Sequence, residues 1–118
     1  MEEQTKTRLD LPWPPSVNSY WKPWRGRMVL SPKGRAYRGE AQAACRGVLG
    51  VGAARLSVIL VARPPDQRRR DLDNLAKAVL DGMNGVLYDD DSQIDNLFIK
   101  RGPTIPGGQV EVTLWPER

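Results

Sequence analysis

Histidine is missing altogether from this 118-residue chain. Its absence excludes imidazole general-base catalysis, Ser-His-Asp triads and the common zinc sites together. The single cysteine, Cys45, has no partner for an internal disulfide; in an apolar helical stretch it is expected to pack rather than react. Long apolar runs are lacking too. The longest, Val58 to Ala62, falls far short of a bilayer crossing. Met1 to Thr7 is polar without an apolar centre, so no signal peptide is expected and the expected location is cytoplasmic. No glycine-rich nucleotide-binding motif is present.

What is there fits one domain with one core, and 40% hydrophobic residues with four tryptophans suffice to form it. Residues 1–7 read as a tail and residues 8–118 as the domain. Eighteen basic residues face 14 acidic ones, for a net charge of +4 and a pI near 9.6. Such a balance favours a polyanionic partner, because each neutralised phosphate releases counterions. The charges are also grouped: Arg68-Arg69-Arg70 in one place and Asp89-Asp90-Asp91 in another.

A strand is expected from Arg8 to Leu11, stopped by Pro12-Trp13-Pro14-Pro15. Ser16 to Met28 reads as an extended segment with an exposed loop at Arg25-Gly26-Arg27. Ser31-Pro32 is a helix start, with Ser at the cap and Pro at the first turn, and the helix is expected to run to about Leu49. Leu56 to Ala62 reads as a central strand. Leu75, Val79 and Met83 form one apolar stripe, predicting a second helix over Asn74 to Asn84. Strands are expected at Leu97 to Lys100 and Gln109 to Trp115, the last with one face solvated. The order β-α-β-α-β-β predicts an α/β (α+β) single domain: a mixed sheet with two main helices.

Chemistry concentrates at Asp71-Leu72-Asp73-Asn74. In an extended segment, residues two apart point the same way, so both carboxylates could converge on one small volume. A divalent cation would relieve their repulsion, and Mg²⁺ takes one or two carboxylates while keeping several waters. A third acid from residues 89–91 could complete the set. Spacing alone favours a plainer reading, with Asp73 capping the following helix and Asp71 paired to the arginines before it. Those arginines tilt the balance, because a phosphodiester site uses several cations to hold the scissile and flanking phosphates. Lys77, one helical turn after Asp73, could stabilise phosphorus-centred charge or pair with Asp81.

Arg68-Arg69-Arg70-Asp71-Leu72-Asp73-Asn74-Leu75, then Lys77, Asp81 and Asp90-Asp91-Ser92-Gln93-Ile94, resemble the RusA family of Holliday junction resolvases. The resemblance extends to Leu11-Pro12-Trp13-Pro14-Pro15-Ser16 with Asn18, Ser31-Pro32-Lys33-Gly34 with Tyr37-Arg38, and Gly107-Gly108. It implies a homodimer of bacterial or phage origin, active in DNA recombination and repair. Such an enzyme nicks two opposed strands of a four-way DNA junction with Mg²⁺, for which Mn²⁺ is an expected substitute. Its catalytic and metal-binding aspartates fall on Asp71, Asp73 and Asp91, with Asp90 as the alternate ligand, its lysine on Lys77 and its functional arginine on Arg70. Expected DNA contacts are Arg68, Arg69, Arg70, Arg25, Arg27 and Lys33. Trp21 and Trp24 are expected to pack in the core or a dimer interface rather than stack on bases. Two rival readings are a junction-binding protein without activity and a Mg²⁺-dependent hydrolase of small phosphorylated molecules.

Overall fold

The computed structural model describes residues 6–117, so Met1 to Thr5, most of the expected tail, lie outside the described residues. Alternating apolar residues set the sheet's inner face: Leu56, Val58, Leu60 and Ala62 of β4 (Leu56–Arg63) and Val110, Val112 and Leu114 of β6 (Gln109–Pro116) are buried. These two strands pair antiparallel at the centre of the sheet. β1 (Thr7–Pro12) joins β6 antiparallel and β5 (Ile94–Arg101) joins β4 in parallel, giving the order β1-β6-β4-β5. A parallel neighbour requires a crossover, and the helix α3 (Leu72–Met83) supplies it. The mixed sheet, single core and two main helices match the expected fold class. On β6's other face Gln109 and Glu111 keep partial exposure, but Thr113 is buried, so that face is less solvated than its alternation suggests.

The helix α2 (Pro32–Cys45) starts where expected, with Ser31 Oγ accepting from Gly34 N–H at 3.0 Å and Pro32 in the first turn. It ends short of Leu49. Cys45 is its last buried residue, and beyond it the bonds tighten to Gly47 N–H on Ala44 O and Val48 N–H on Cys45 O. Val48 still packs against the core, but Gly47 favours helix weakly and Leu49 is left 70% exposed, so nothing rewards a further α-helical turn. Gly34 is required: a Cβ there would lie 2.3 Å from the Tyr20 carbonyl oxygen. Cys45 is buried as expected, and that burial pushes its thiol up to about 11.

The segment 16–30 is more ordered than an extended chain. One short helical turn, α1 (Val17–Tyr20), forms as the Ser16 carbonyl accepts from the N–H groups of Ser19 and Tyr20, and it seats Tyr20 wholly inside the core. A hairpin of β2 (Trp21–Trp24) and β3 (Arg27–Leu30) follows as a separate two-stranded sheet. Its turn residues, Arg25 (φ 48°) and Gly26 (φ 77°), both lie in the left-handed region, as a tight two-residue hairpin demands. Among the described residues, no helix is long and apolar enough to cross a membrane.

Candidate active site

The loop after β4 is organised by a residue that the sequence does not flag. Asp66 accepts from Arg68 N–H at 2.9 Å and from Arg70 Nη1 at 2.7 Å, and pairs with the Arg68 guanidinium at 3.1 Å. The Arg70 bond, then the Arg68 backbone bond, hold its carboxyl well below the usual carboxylate range. Arg101 ties the loop to β5 by donating to Arg70 O at 2.9 Å. Arg68 and Arg70 thus have an internal counter-ion, and Arg70 also lies 5.6 Å from the Trp13 ring centroid. Arg69 is exposed and makes no hydrogen bond or ion pair among the described residues.

Because Asp66 engages those arginines, Asp71 does not pair with them. α3 begins at Leu72, two residues earlier than its apolar stripe predicts. Asp71 therefore takes the cap position, with extended backbone and no capping bond from its side chain, while Asp73 lies within the first turn. The expected extended pair and the alternative of an Asp73 cap are both corrected. Both carboxylates are exposed, and neither is hydrogen bonded or ion paired among the described residues. Lys77 is likewise exposed and unpaired there. Asp81, its expected helical partner, instead accepts from Tyr20 OH and sits 3.6 Å from Arg38 Nε. Burial, then Asp81, raise the Tyr20 phenol well above its usual range.

Asp71 opens onto a cleft of about 410 Å³ lined also by Trp13, Ser16, Asn18, Arg70 and Asn74. The Pro-Trp-Pro-Pro segment thus forms the wall opposite the aspartates. Lys33 lies beyond that wall, on a shallow groove that shares Trp13, Pro14 and Pro15 with the cleft. Arg25 and Arg27 lie on the hairpin tip, with guanidinium carbons 4.5 and 6.0 Å from the Trp24 ring centroid. Trp21 packs partly buried against the core, as expected, but Trp24 is 45% exposed, so packing does not account for it within this chain.

The acidic turn is built differently from the pair at 71 and 73. Asp90 caps the 3₁₀ turn Asp91–Gln93: its carboxylate accepts from Ser92 N–H at 2.9 Å, and its own N–H donates to Gln93 Oε1 at 2.7 Å. The Ser92 bonds hold the Asp90 carboxyl below its ordinary value. Buried Gln93 then donates to the Gly52 and Ala54 carbonyls at 2.7 and 2.8 Å, anchoring the turn. The D-x-x-Q spacing carries this capping-box signal in the sequence. Asp91 accepts a 2.7 Å bond from the hydroxyl of buried Tyr88, which lies 3.2 Å from the Leu80 carbonyl oxygen. Burial, then Asp91, drive the Tyr88 phenol far above its usual range. No sequence pattern announces Tyr88.

Topology keeps the expected trio apart within one chain. Asp71 follows the end of β4 while Asp91 precedes the start of β5, and parallel strands place those points at opposite ends of the sheet. Asp91 is fastened beside Leu80, and Asp73 lies seven residues up the helix, about 10 Å along its axis. Among the described residues no three acids, cysteines or histidines come close enough to share a metal ion. Of the expected acids, Asp71 and Asp73 stay together at the head of α3, and two carboxylates match the number that Mg²⁺ commonly takes from a protein.

Residues 12–114 match the family described as Endodeoxyribonuclease RusA. The chain is 37% identical over 107 residues to a crossover junction endodeoxyribonuclease of Enterobacteria phage HK97, covering 88% of this chain and 89% of that protein. It is 38% identical over 109 residues to proteins of the same description from Enterobacteria phage 82 and Escherichia coli K12, covering 90% of this chain and 91% of each. The matched span takes in the cleft wall, the hairpin, both main helices and every acid of the candidate site. The chain belongs to the RusA family of endodeoxyribonucleases.

Proposed function

We propose that this protein is a Mg²⁺-dependent, structure-selective endonuclease that resolves four-way DNA junctions by paired nicks on opposed strands. The observation that carries the reading is the exposed pair Asp71 and Asp73, unpartnered among the described residues at the head of α3. Left unpaired, two such neighbouring charges only repel, whereas a hard cation gives them a role. The cation, Mg²⁺ or Mn²⁺, would supply Lewis acidity, and with it an activated water at neutral pH. That fits a chain without histidine. Lys77 presents its ammonium one turn along the same helix, where it can neutralise charge gathering on phosphate oxygens. Arg69 and Arg70 hold the flanking phosphates, Arg70 pre-oriented by Asp66 and Trp13, while Arg25, Arg27 and Lys33 extend the basic surface.

Two nicks call for two active sites related as the junction's arms are, which a two-fold homodimer provides. The separation of Asp91 from Asp71 within one chain supports such a dimer, in which Asp91 completes the acidic set on the partner. Phe98, exposed on the sheet face opposite the helices beside half-buried Ile59, offers apolar surface for association. Asp91 is favoured over Asp90 as the third ligand because the Asp90 carboxylate is already committed to its own turn. Residues 8–118 form the nuclease domain, acting in the cytoplasm. The test sets a labelled four-way junction, its matched duplex and a nucleotide against the protein with Mg²⁺ or EDTA. Symmetric nicks in the junction alone, only with Mg²⁺, are expected. Binding without cleavage would reduce the protein to a junction-binding one, and nucleotide hydrolysis would make it a small-molecule phosphohydrolase.

A further inference from the structure

Between Asp10 and Glu40 the chain carries six lysines and arginines and no acidic residue. The β2–β3 hairpin lies inside this stretch. Its base is fixed: Trp21 packs edge-on against buried Tyr20 at 5.0 Å between ring centroids, and Ser31 N–H donates to Tyr20 O at 2.9 Å. Its tip is not covered, with Trp24 45% and Met28 60% exposed. A two-stranded hairpin is marginal alone, and an exposed indole at its end does little to hold it. Trp24 stands instead among charges, with the Arg25 and Arg27 guanidinium groups over its ring. A groove beneath the hairpin is lined by Val17, Asn18, Trp21, Pro23 and Met28, and Val17 and Asn18 also line the cleft that holds Asp71. Groove and cleft therefore adjoin, with Val17 and Asn18 between them.

Resting on the junction-nuclease reading, we infer that this hairpin is the junction-sensing element: Trp24 stacks on a base exposed at the crossover while Arg25 and Arg27 hold the adjoining phosphates. Stacking needs an accessible aromatic face, and sequence-tolerant stacking combined with phosphate contacts is how proteins engage unpaired nucleotides. The guanidinium groups now over the ring are no obstacle, because an exposed cation–π contact is weaker than a base–aromatic stack. A continuous duplex offers no exposed base face, so Trp24 acts on junction affinity and not on duplex affinity. Because the groove under the hairpin adjoins the Asp71 cleft at Asn18, the sensed crossover would lie at a defined reach from Asp71, which makes Trp24 a positioning residue.

The experiment measures binding of the full chain to a four-way junction and to its matched duplex in EDTA, where cleavage is off. 2-Aminopurine at the crossover reports base unstacking. Trp24→Ala is expected to weaken junction binding by about 5- to 100-fold, the loss of one stacked base. It should leave duplex binding unchanged and abolish the 2-aminopurine signal, while Trp24→Phe restores most of both. Arg25→Ala with Arg27→Ala should weaken both substrates and flatten the salt dependence by about two phosphates' worth. Trp24→Ala binding the junction like the parent overturns the inference. So does an equal loss on junction and duplex, or a shift in oligomeric state with the same loss, which would make Trp24 a protein-contact residue. A parent chain with no preference for junction over duplex fails the junction reading itself, a distinct result.

Discussion

Replacing Tyr88 by Phe removes one hydroxyl and nothing else from the site. That hydroxyl donates to Asp91 at 2.7 Å, and the ring around it is buried, so no cavity opens and no shape changes. The Leu80 carbonyl is not orphaned, because it keeps its helical bond from Asn84 N–H at 3.0 Å. A hydrogen bond to a charged group contributes about 1.5–3 kcal/mol, but Asp91 is exposed and regains water when it is lost, which brings the expected cost to about 1 kcal/mol. For a domain of this size that lowers Tm by roughly 3–5 °C. The functional effect should be larger than the structural one. Freed from Tyr88, Asp91 loses its fixed orientation, and cleavage should fall by about 10- to 100-fold, as for other residues that orient metal ligands, with junction affinity retained. Asp91→Asn is the complement: its amide oxygen still accepts from Tyr88, so stability stays near the parent while cleavage is lost. Thermal melts and single-turnover cleavage across a Mg²⁺ series read both. Tyr88→Phe with parental cleavage at every Mg²⁺ concentration would refute the positioning role.

Equal amounts of Asp71→Asn and Asp91→Asn chains, each inactive alone, should recover nicking of one strand when mixed, because a shared site leaves one intact set per mixed dimer; a mixture as dead as its components would place the whole set in one chain. Gly34→Ala should destabilise by about 1–3 kcal/mol in urea melts, since its Cβ would meet the Tyr20 carbonyl and overpacking outweighs the helix-propensity gain. Gly39→Ala, with open space around it, should gain about 0.5–1 kcal/mol instead. Asp66 has its carboxyl lowered by Arg70 and Arg68, so its contribution is present above the unfolded carboxyl value and lost as pH falls through the folded one. The stability gap between the parent and Asp66→Asn should therefore be full at neutral pH, begin to narrow only below about pH 4 and go on closing as pH falls toward the lower folded value.

Periodicity made the scaffold legible. The alternation in Leu56 to Ala62 and Val110 to Leu114 reads directly as buried strand faces, and Ser31-Pro32 as a capped helix, because those signals are local. The short turn at Val17–Tyr20 was not legible, since what stabilises it is the burial of Tyr20 against distant elements. At the candidate site, the D-x-D spacing located the carboxylates but misjudged their backbone, because α3 begins before its apolar stripe does. Asp66 and Tyr88 escaped notice because their roles depend on which charges and carbonyls the loops bring to them. The separation of Asp91 from Asp71 is a consequence of sheet order, and no window of sequence encodes that a strand is parallel.

The junction-cleaving role of the aspartate pair is tested most directly by Asp71→Asn on a labelled four-way junction beside its matched duplex, with binding measured in EDTA and cleavage in Mg²⁺. The parent should cut only the junction, at symmetric positions on opposed strands. Asp71→Asn should bind the junction with parental affinity and cut it at least about 100-fold more slowly, beyond the loss seen on removing groups that merely orient metal ligands. An Asp71→Asn chain that cuts at the parental rate, or a parent that cuts duplex as readily as junction, would contradict it.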